Sequence, residues 1–210
     1  VYFSLEDYQS ALADYTKAIS LQKDNPYRYN SRAECYIKME DYSHALIDLT
    51  SAIDLAPNDA TYYNNRGNFY SDYKKEDDLA LKDYVTAIEI STDDYQTTRA
   101  RNNSANIYGR QEKYNLAIEE YTKAIAINPE ISLYYSNRAD TYLDLEDYEN
   151  ALIDYNHLVD NNPLNVQYLL DRANCLEEMK KFDLAINDLN KVLRIDSLSD
   201  EAYGNRSYIN

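Results

Sequence analysis

Residues Tyr134–Pro163 read YYSNRADTYLDLEDYENALIDYNHLVDNNP, and the rest of the chain is understood from this stretch. Tyr148, Ala151, Leu152 and Tyr155 are spaced three, one and three apart, which sets them on one stripe of a 3.6-residue period. Glu149, Asn150, Asp154 and Asn156 occupy the other face. Tyr135, Arg138, Ala139 and Tyr142 make a similar stripe in the first half, and the polar run Asp144 to Asp147 divides the halves. The unit reads as a helical hairpin.

Versions of this hairpin recur along the chain. The small residue between two larger apolar ones is Ala11, Ala45, Ala80, Ala117, Ala151 and Ala185, in steps of 34, 35, 37, 34 and 34. A fixed period in the range of about 20–50 residues is the signature of a solenoid. The large residue opening each first helix is Tyr29, Tyr63, Arg101, Tyr135, Leu169 and Tyr203, and the small one behind it is Ala33, Gly67, Ala105, Ala139, Ala173 and Ser207. The first helix ends on Tyr2, Tyr36, Tyr70, Tyr108, Tyr142 and Leu176, and the second opens on Tyr8, Tyr42, Asp77, Tyr114, Tyr148 and Phe182. Pro57, Pro129 and Pro163 close three of the units. With this period and these positions the chain resembles the tetratricopeptide repeat family over its whole length. The resemblance implies an all-α fold, an α-solenoid in which antiparallel helix pairs stack into a right-handed superhelix.

The array divides into a partial repeat over 1–25, full repeats over 26–59, 60–97, 98–131, 132–165 and 166–199, and the start of a further helix over 200–210. Val1 to Leu5 supply only the end of a first helix, so the chain reads as a fragment. The 60–97 repeat is irregular, with one extra residue near Asp72 to Asp77 and about three more in STDDYQT before Thr98. Both insertions are expected in loops, where added residues are tolerated.

Composition narrows the function. A formal net charge of -16 disfavours nucleic acid and anionic membrane surfaces as partners. No apolar run approaches the eighteen or so residues of a membrane span, and no signal-peptide pattern opens the chain; a soluble, cytoplasmic protein is expected. Cys35 and Cys175 share one position four repeats apart, too far to bridge, and are expected as free thiols. His44 and His157 fall in different positions with no recurring Ser or Cys beside them, and the three glycines form no phosphate-cradling loop. No Cys/His cluster has metal-ligand spacing. No enzyme activity, cofactor or metal is expected.

Two polar patterns recur. Arg32, Arg66, Arg138 and Arg172 sit one residue before the small position, in repeats that carry Asp48, Asp83, Asp154 and Asp188 in the second helix. They are expected to pair within a repeat, or with the preceding one as Asp14 would allow for Arg32. Where Arg gives way to Ser104, the acidic position holds Glu120. The second pattern is a largely amide column on the first helices: Ser31, Asn65, Asn103, Asn137, Asp171 and Asn205, with Asn30, Asn64 and Asn102 beside it and Glu34, Asn68, Asn106, Asp140 and Asn174 one turn on. Asparagine usually prefers caps and turns, and its amide can hold both backbone groups of an extended chain.

In the resembled family the first helices line a concave groove that receives a peptide or a partner's helix, and this column resembles the asparagine ladder of its peptide-binding members. The alternative is that the amides are solvated on an exposed face. Arg99, Arg101 and Arg110 form a basic island beside them, either meeting a ligand carboxylate or pairing with Asp93 or Asp94. The repeats that follow are acidic, which suits basic segments in a partner. The family's carboxylate clamp is not matched: its lysine position holds Asn30, Asn64 and Asn102, and Glu34 opposes a carboxylate. The expected function is an adaptor binding a protein or peptide segment through this ladder. The alternatives are a regulatory or targeting segment of a larger protein, or an array that self-associates through its open ends, where Tyr203, Tyr208 and Ile209 lie.

Overall fold

The computed structural model describes residues 5–209, with side chains from residue 7. Tyr2 and the rest of 1–4 lie outside the described residues. The described residues form twelve α-helices and one π-helical turn. First and second helices alternate. The first helices are α2 (Pro26–Lys38), α4 (Ala60–Phe69), α6 (Asp94–Arg110), α8 (Ser132–Asp144), α10 (Val166–Glu178) and α12 (Asp200–Ile209). The second are α1 (Leu5–Leu21), α3 (Tyr42–Leu55), α5 (Asp77–Ile90), α7 (Tyr114–Ile127), α9 (Tyr148–Asn161) and α11 (Phe182–Ile195).

Local chemistry fixes the helix ends. Asn25, Asp59 and Asn165 cap α2, α4 and α10 by accepting from Tyr27, Thr61 and Tyr168 N–H, and Asp41 and Asp147 do the same for α3 and α9 through His44 and Asn150 N–H. A capping carboxylate or amide satisfies one of the orphan donors of the first turn. The turn from first to second helix is built the same way each time. Glu40, Lys75, Glu112, Glu146 and Lys180 all adopt positive φ. The next residue's N–H then reaches back, as Asp41 does to Tyr36 C=O (2.9 Å) and Asp147 to Tyr142 C=O (2.9 Å). This left-handed cap is usually glycine, and here no glycine fills it.

Two compact units result, residues 1–107 and 108–210, with the division inside α6. In the first, Ala33, Ala45, Leu49 and Phe69 make one core cluster. Ala60, Ala80, Tyr84, Ala87, Ala100 and Ile107 make another. In the second unit, Ala139, Ala151, Tyr155, Leu158 and Cys175 lead into Leu169, Leu170, Leu176, Leu189 and Val192. The small positions Ala33, Ala105, Ala139 and Ala173 are buried, which lets neighbouring helices approach. Gly67 has this role most strictly, since a Cβ there would lie 2.6 Å from Tyr84 Cε1. Cys35 and Cys175 are free and buried. Burial raises both thiols, Cys175 to about 11. No helix among the described residues is long and apolar enough to cross a membrane.

The insertions of the 60–97 repeat are not in loops. The extra residue near Asp72 is absorbed as a π-helical turn over Tyr70–Lys74, closed by Glu76 N–H to Tyr70 C=O (3.0 Å). A π turn is how one residue enters a helix without moving what lies before it. The three residues of STDDYQT become an added first turn of α6, which has 17 residues where α8 and α10 have 13. Asp93 starts that turn, its carboxylate accepting from Tyr95 N–H at 2.8 Å and its C=O from Thr97 N–H at 3.0 Å.

Candidate functional site

The recurring arginines and aspartates hold the helix pairs together. Arg32, Arg66, Arg138 and Arg172 each donate through Nε and Nη2 to both oxygens of Asp48, Asp83, Asp154 and Asp188, at 2.7–2.8 Å. Every pair lies within its own repeat. The remaining Nη1 reaches the preceding second helix, to Thr16, Thr50, Thr122 and Asn156, so Arg32 meets Thr16 and not Asp14. The bond with Asp48 and Asp83 raises the Arg32 and Arg66 pKa against the effect of burial. These bidentate, nearly desolvated pairs are structural. Where the arginine is missing, Ser104 Oγ is buried without a hydrogen-bond partner among the described residues.

The amide column sits on the opposite stripe of the first helices. In unit 1, Asn65 Nδ2 donates to Asn30 Oδ1 (2.8 Å), and Arg99 Nη2 donates to Asn65 Oδ1 (3.0 Å). The Asn68 amide lies 2.8 Å from the Tyr84 hydroxyl and 2.7 Å from Asn103 Nδ2; turned to face the guanidinium, its oxygen accepts from Arg99 Nη2 at 2.9 Å. Asn102 Nδ2 donates to Asn103 Oδ1 at 3.3 Å. The amides thus bind one another from repeat to repeat, which gives a physical reason for asparagine in mid-helix. Asn64 lies beneath this face, 0% exposed, with Nδ2 donating to Gln96 C=O and to Gln96 Oε1, both at 3.0 Å. Gln96 belongs to the added turn of α6, so the insertion covers Asn64. Asn102 is buried as well, whereas Asn65, Asn68, Arg99, Asn103 and Asn106 keep part of their surface.

Arg99 forms no ion pair among the described residues. Its guanidinium is turned into the amides and away from Asp93, whose carboxylate caps α6. Glu34 lies across the same face: burial raises its pKa, while an Asn30 hydrogen bond and the charge of Arg99 lower it. Arg110, at the end of α6, is exposed.

In unit 2 the same face is acidic. Asp140 accepts from the Tyr155 hydroxyl (2.6 Å), Asp171 accepts from Gln167 Nε2 (2.8 Å), and Asn174 Oδ1 accepts from Asn205 Nδ2 (2.7 Å). Asn137 is half-buried beside them. Asp140 stays open to water on one side, and the partial loss of hydration on the other raises its pKa, opposed by the Tyr155 bond and reinforced by Asp144. Asp171 is raised by burial and, after a counteracting bond from Gln167, by the charges of Asp140 and Glu201. Among the described residues, none of Asp140, Asp171 and Glu201 has an ion-pair partner. Desolvation and the Asp140 hydrogen bond push the Tyr155 phenol far up.

Gln167, Glu201, Tyr155 and Gln96 were not singled out from sequence as ligand-facing, whereas Asp171 and Asn205 stand in the Asn65 column. A signal existed for two of them. One turn before the Asn65 column runs Tyr27, Thr61, Arg99, Leu133, Gln167 and Glu201, and reading that column entire points to Gln167 and Glu201. No group of three or more His, Cys, Asp or Glu among the described residues is placed to hold a metal.

Comparison with known proteins agrees with this architecture. Residues 1–25, 27–59 and 98–131 match one family model described as tetratricopeptide repeat, and residues 136–200 match a second with the same description. Curated protein sequences give no match. Among solved structures, the C-terminal part of a TPR repeat-containing protein from Cytophaga hutchinsonii is similar with a TM-score of 0.82 at 19% identity, over 96% of this chain and 81% of that one. YrrB, described as a TPR protein with an unusual peptide-binding site, is similar with a TM-score of 0.70 at 17% identity, over 92% and 97%. The second TPR domain of human RPAP3, in complex with the HSP70 peptide SGPTIEEVD, gives 0.51 at 25% identity, over 56% of this chain and 98% of that domain.

Proposed function

Because the chain belongs to the tetratricopeptide repeat family, we propose that it is an adaptor, without catalytic activity, that holds a peptide segment of a partner protein on the polar face of its first helices. The observation that carries this reading is the set of carboxylates Asp140, Asp171 and Glu201. Beside burial, the charges of Asp140 and Glu201 help to raise the Asp171 pKa, and none of the three makes an ion pair with a described residue. Like charges kept together without a counter-ion are unfavourable, and a lysine or arginine from a partner relieves that cost. A segment held on unit 2 is therefore basic. On unit 1 the exposed edges of Asn65, Asn68 and Asn103 offer amide donors and acceptors to an extended backbone, with Arg99 beside them. Asn137 and Asn174 do the same on unit 2, while Asn64 and Asn102 support from below.

Selection of peptides from a random-sequence display library tests this. Wild-type protein should enrich peptides rich in Lys and Arg, and the Asp140→Asn, Asp171→Asn, Glu201→Gln variant should lose that enrichment. The Asn65→Ala, Asn103→Ala pair should weaken binding of the same peptides while circular dichroism shows the fold retained. Failure of the wild type to enrich any peptide class contradicts the reading.

A further inference from the structure

The internal repetition makes one departure informative. In three repeats the guanidinium of the structural arginine is covered by tyrosine rings: Arg32 by Tyr29 and Tyr36 at 5.8 and 5.9 Å, Arg66 by Tyr70 at 5.9 Å, and Arg138 by Tyr135 at 5.8 Å. Arg206 lies under Tyr203 at 5.3 Å. Such contacts are a favourable use of the ring quadrupole. In the 166–199 repeat both tyrosine positions hold leucine, Leu169 and Leu176, and among the described residues no ring lies over Arg172. The ring that Tyr36 stacks on His44 (5.1 Å between centroids) also has its counterparts there in two leucines, Leu176 and Leu184.

Beside Arg172 lies a cavity of about 290 Å³ between α9, α10 and α11, whose walls include Leu152, Arg172, Leu176, Leu184, Asp188 and Lys191. An apolar cavity of about 150 Å³ already accepts benzene, so a phenol ring fits. The walls are right for one. Leu152, Leu176 and Leu184 supply apolar sides, and Arg172 supplies a cation already fixed by Asp188 (2.7 Å) and Asn156 (3.0 Å), so a ring need not order it. Leu184 is 52% exposed at the rim, leaving the cavity open to solvent. Lys191, 3.1 Å from Asp188, adds a second cation at the mouth. On α10 this stripe, Leu169, Arg172 and Leu176, faces away from Asp171 and Asn174, so the cavity is separate from the acidic face.

We propose that this cavity is a socket for an aromatic side chain, tyrosine or phenylalanine, of a partner polypeptide, which completes from outside the ring-on-arginine packing that the other repeats complete from within. The precedent inside the chain is a polypeptide side chain, not a free molecule, and the polar rim of Asn156, Asn187 and Lys191 suits the backbone on either side of it.

Nuclear magnetic resonance titration of the whole chain with p-cresol, and with the capped tripeptide Gly-Tyr-Gly, tests the socket. Both probes should give saturable ring-current shifts confined to the Leu152, Leu176 and Leu184 methyls and the Arg172 Nε–H, the tripeptide binding the more tightly. Leu176→Tyr restores the internal ring and should weaken both at least tenfold. Leu184→Phe, a change at the exposed rim that leaves the core intact, should do the same if the first variant folds poorly. Absence of shifts, shifts unaffected by both variants, equal binding of cyclohexanol, or binding of p-cresol but not of the tripeptide would each overturn the proposal.

Discussion

At the scale of single residues the two kinds of polar contact call for opposite treatment. Asp154 is 2% exposed and Arg138 holds both its oxygens, so Arg138→Ala leaves a buried carboxylate unpaired. Such a loss costs about 3–5 kcal/mol, and urea unfolding should show it. Lys123 instead reaches Glu119 and Glu120 from a position open to water, and Lys123→Ala should cost about 0–1 kcal/mol by the same measurement. The glycines divide likewise. Gly67→Ala drives a methyl to 2.6 Å from the buried Tyr84 ring, which is anchored through its hydroxyl to Asn68, and should destabilise by about 1–3 kcal/mol. Gly109 has open space around it in α6, and Gly109→Ala should stabilise by about 1 kcal/mol through helix propensity.

At the scale of elements, the hairpin Tyr134–Pro163 shows what the sequence discloses. Its apolar stripes, its Arg138–Asp154 pair and its dividing turn were all legible, because periodicity and repetition over six copies report burial directly. The left-handed turns were not legible. Glutamate and lysine occupy positions where glycine would have announced them, and only the backbone shows φ near 60° at Glu40, Lys75, Glu112, Glu146 and Lys180. A non-glycine residue there costs roughly 1–2 kcal/mol, so Glu146→Gly should raise the unfolding midpoint. The insertions were legible in number but misplaced, since a count of residues does not distinguish a longer loop from a π turn or an added helical turn. That difference reaches the site. The added turn of α6 sets Gln96 over Asn64, and the amide column read as a ladder for a ligand proves to be bonded from repeat to repeat before any ligand arrives.

For the molecule as a whole, the proposed partner is argued from charge. The chain carries -16 overall, and each buried aspartate of the Arg–Asp pairs is neutralised by its arginine; Asp140, Asp171 and Glu201, on the first helices of unit 2, make no ion pair with a described residue. Asp140 and Asp171 have pKa values raised above the ordinary 3.8. A cation binds only their ionised form, so affinity for a basic peptide should be full at neutral pH. It should fall as pH drops through the raised values, before ordinary carboxylates protonate. Near those raised values, binding should also release protons, which calorimetry in buffers of different ionisation enthalpy detects. Raising salt should weaken binding, since these carboxylates face solvent.

The most direct measurement is calorimetric titration of a basic peptide enriched by the wild-type protein into wild type and into the Asp140→Asn, Asp171→Asn variant, at one pH and one salt concentration. The expected result is one saturable site on the wild type and an affinity at least tenfold weaker on the variant, with thermal unfolding of the variant no lower than that of the wild type. Equal affinity for the two proteins would contradict the assignment of the first-helix face as the binding surface.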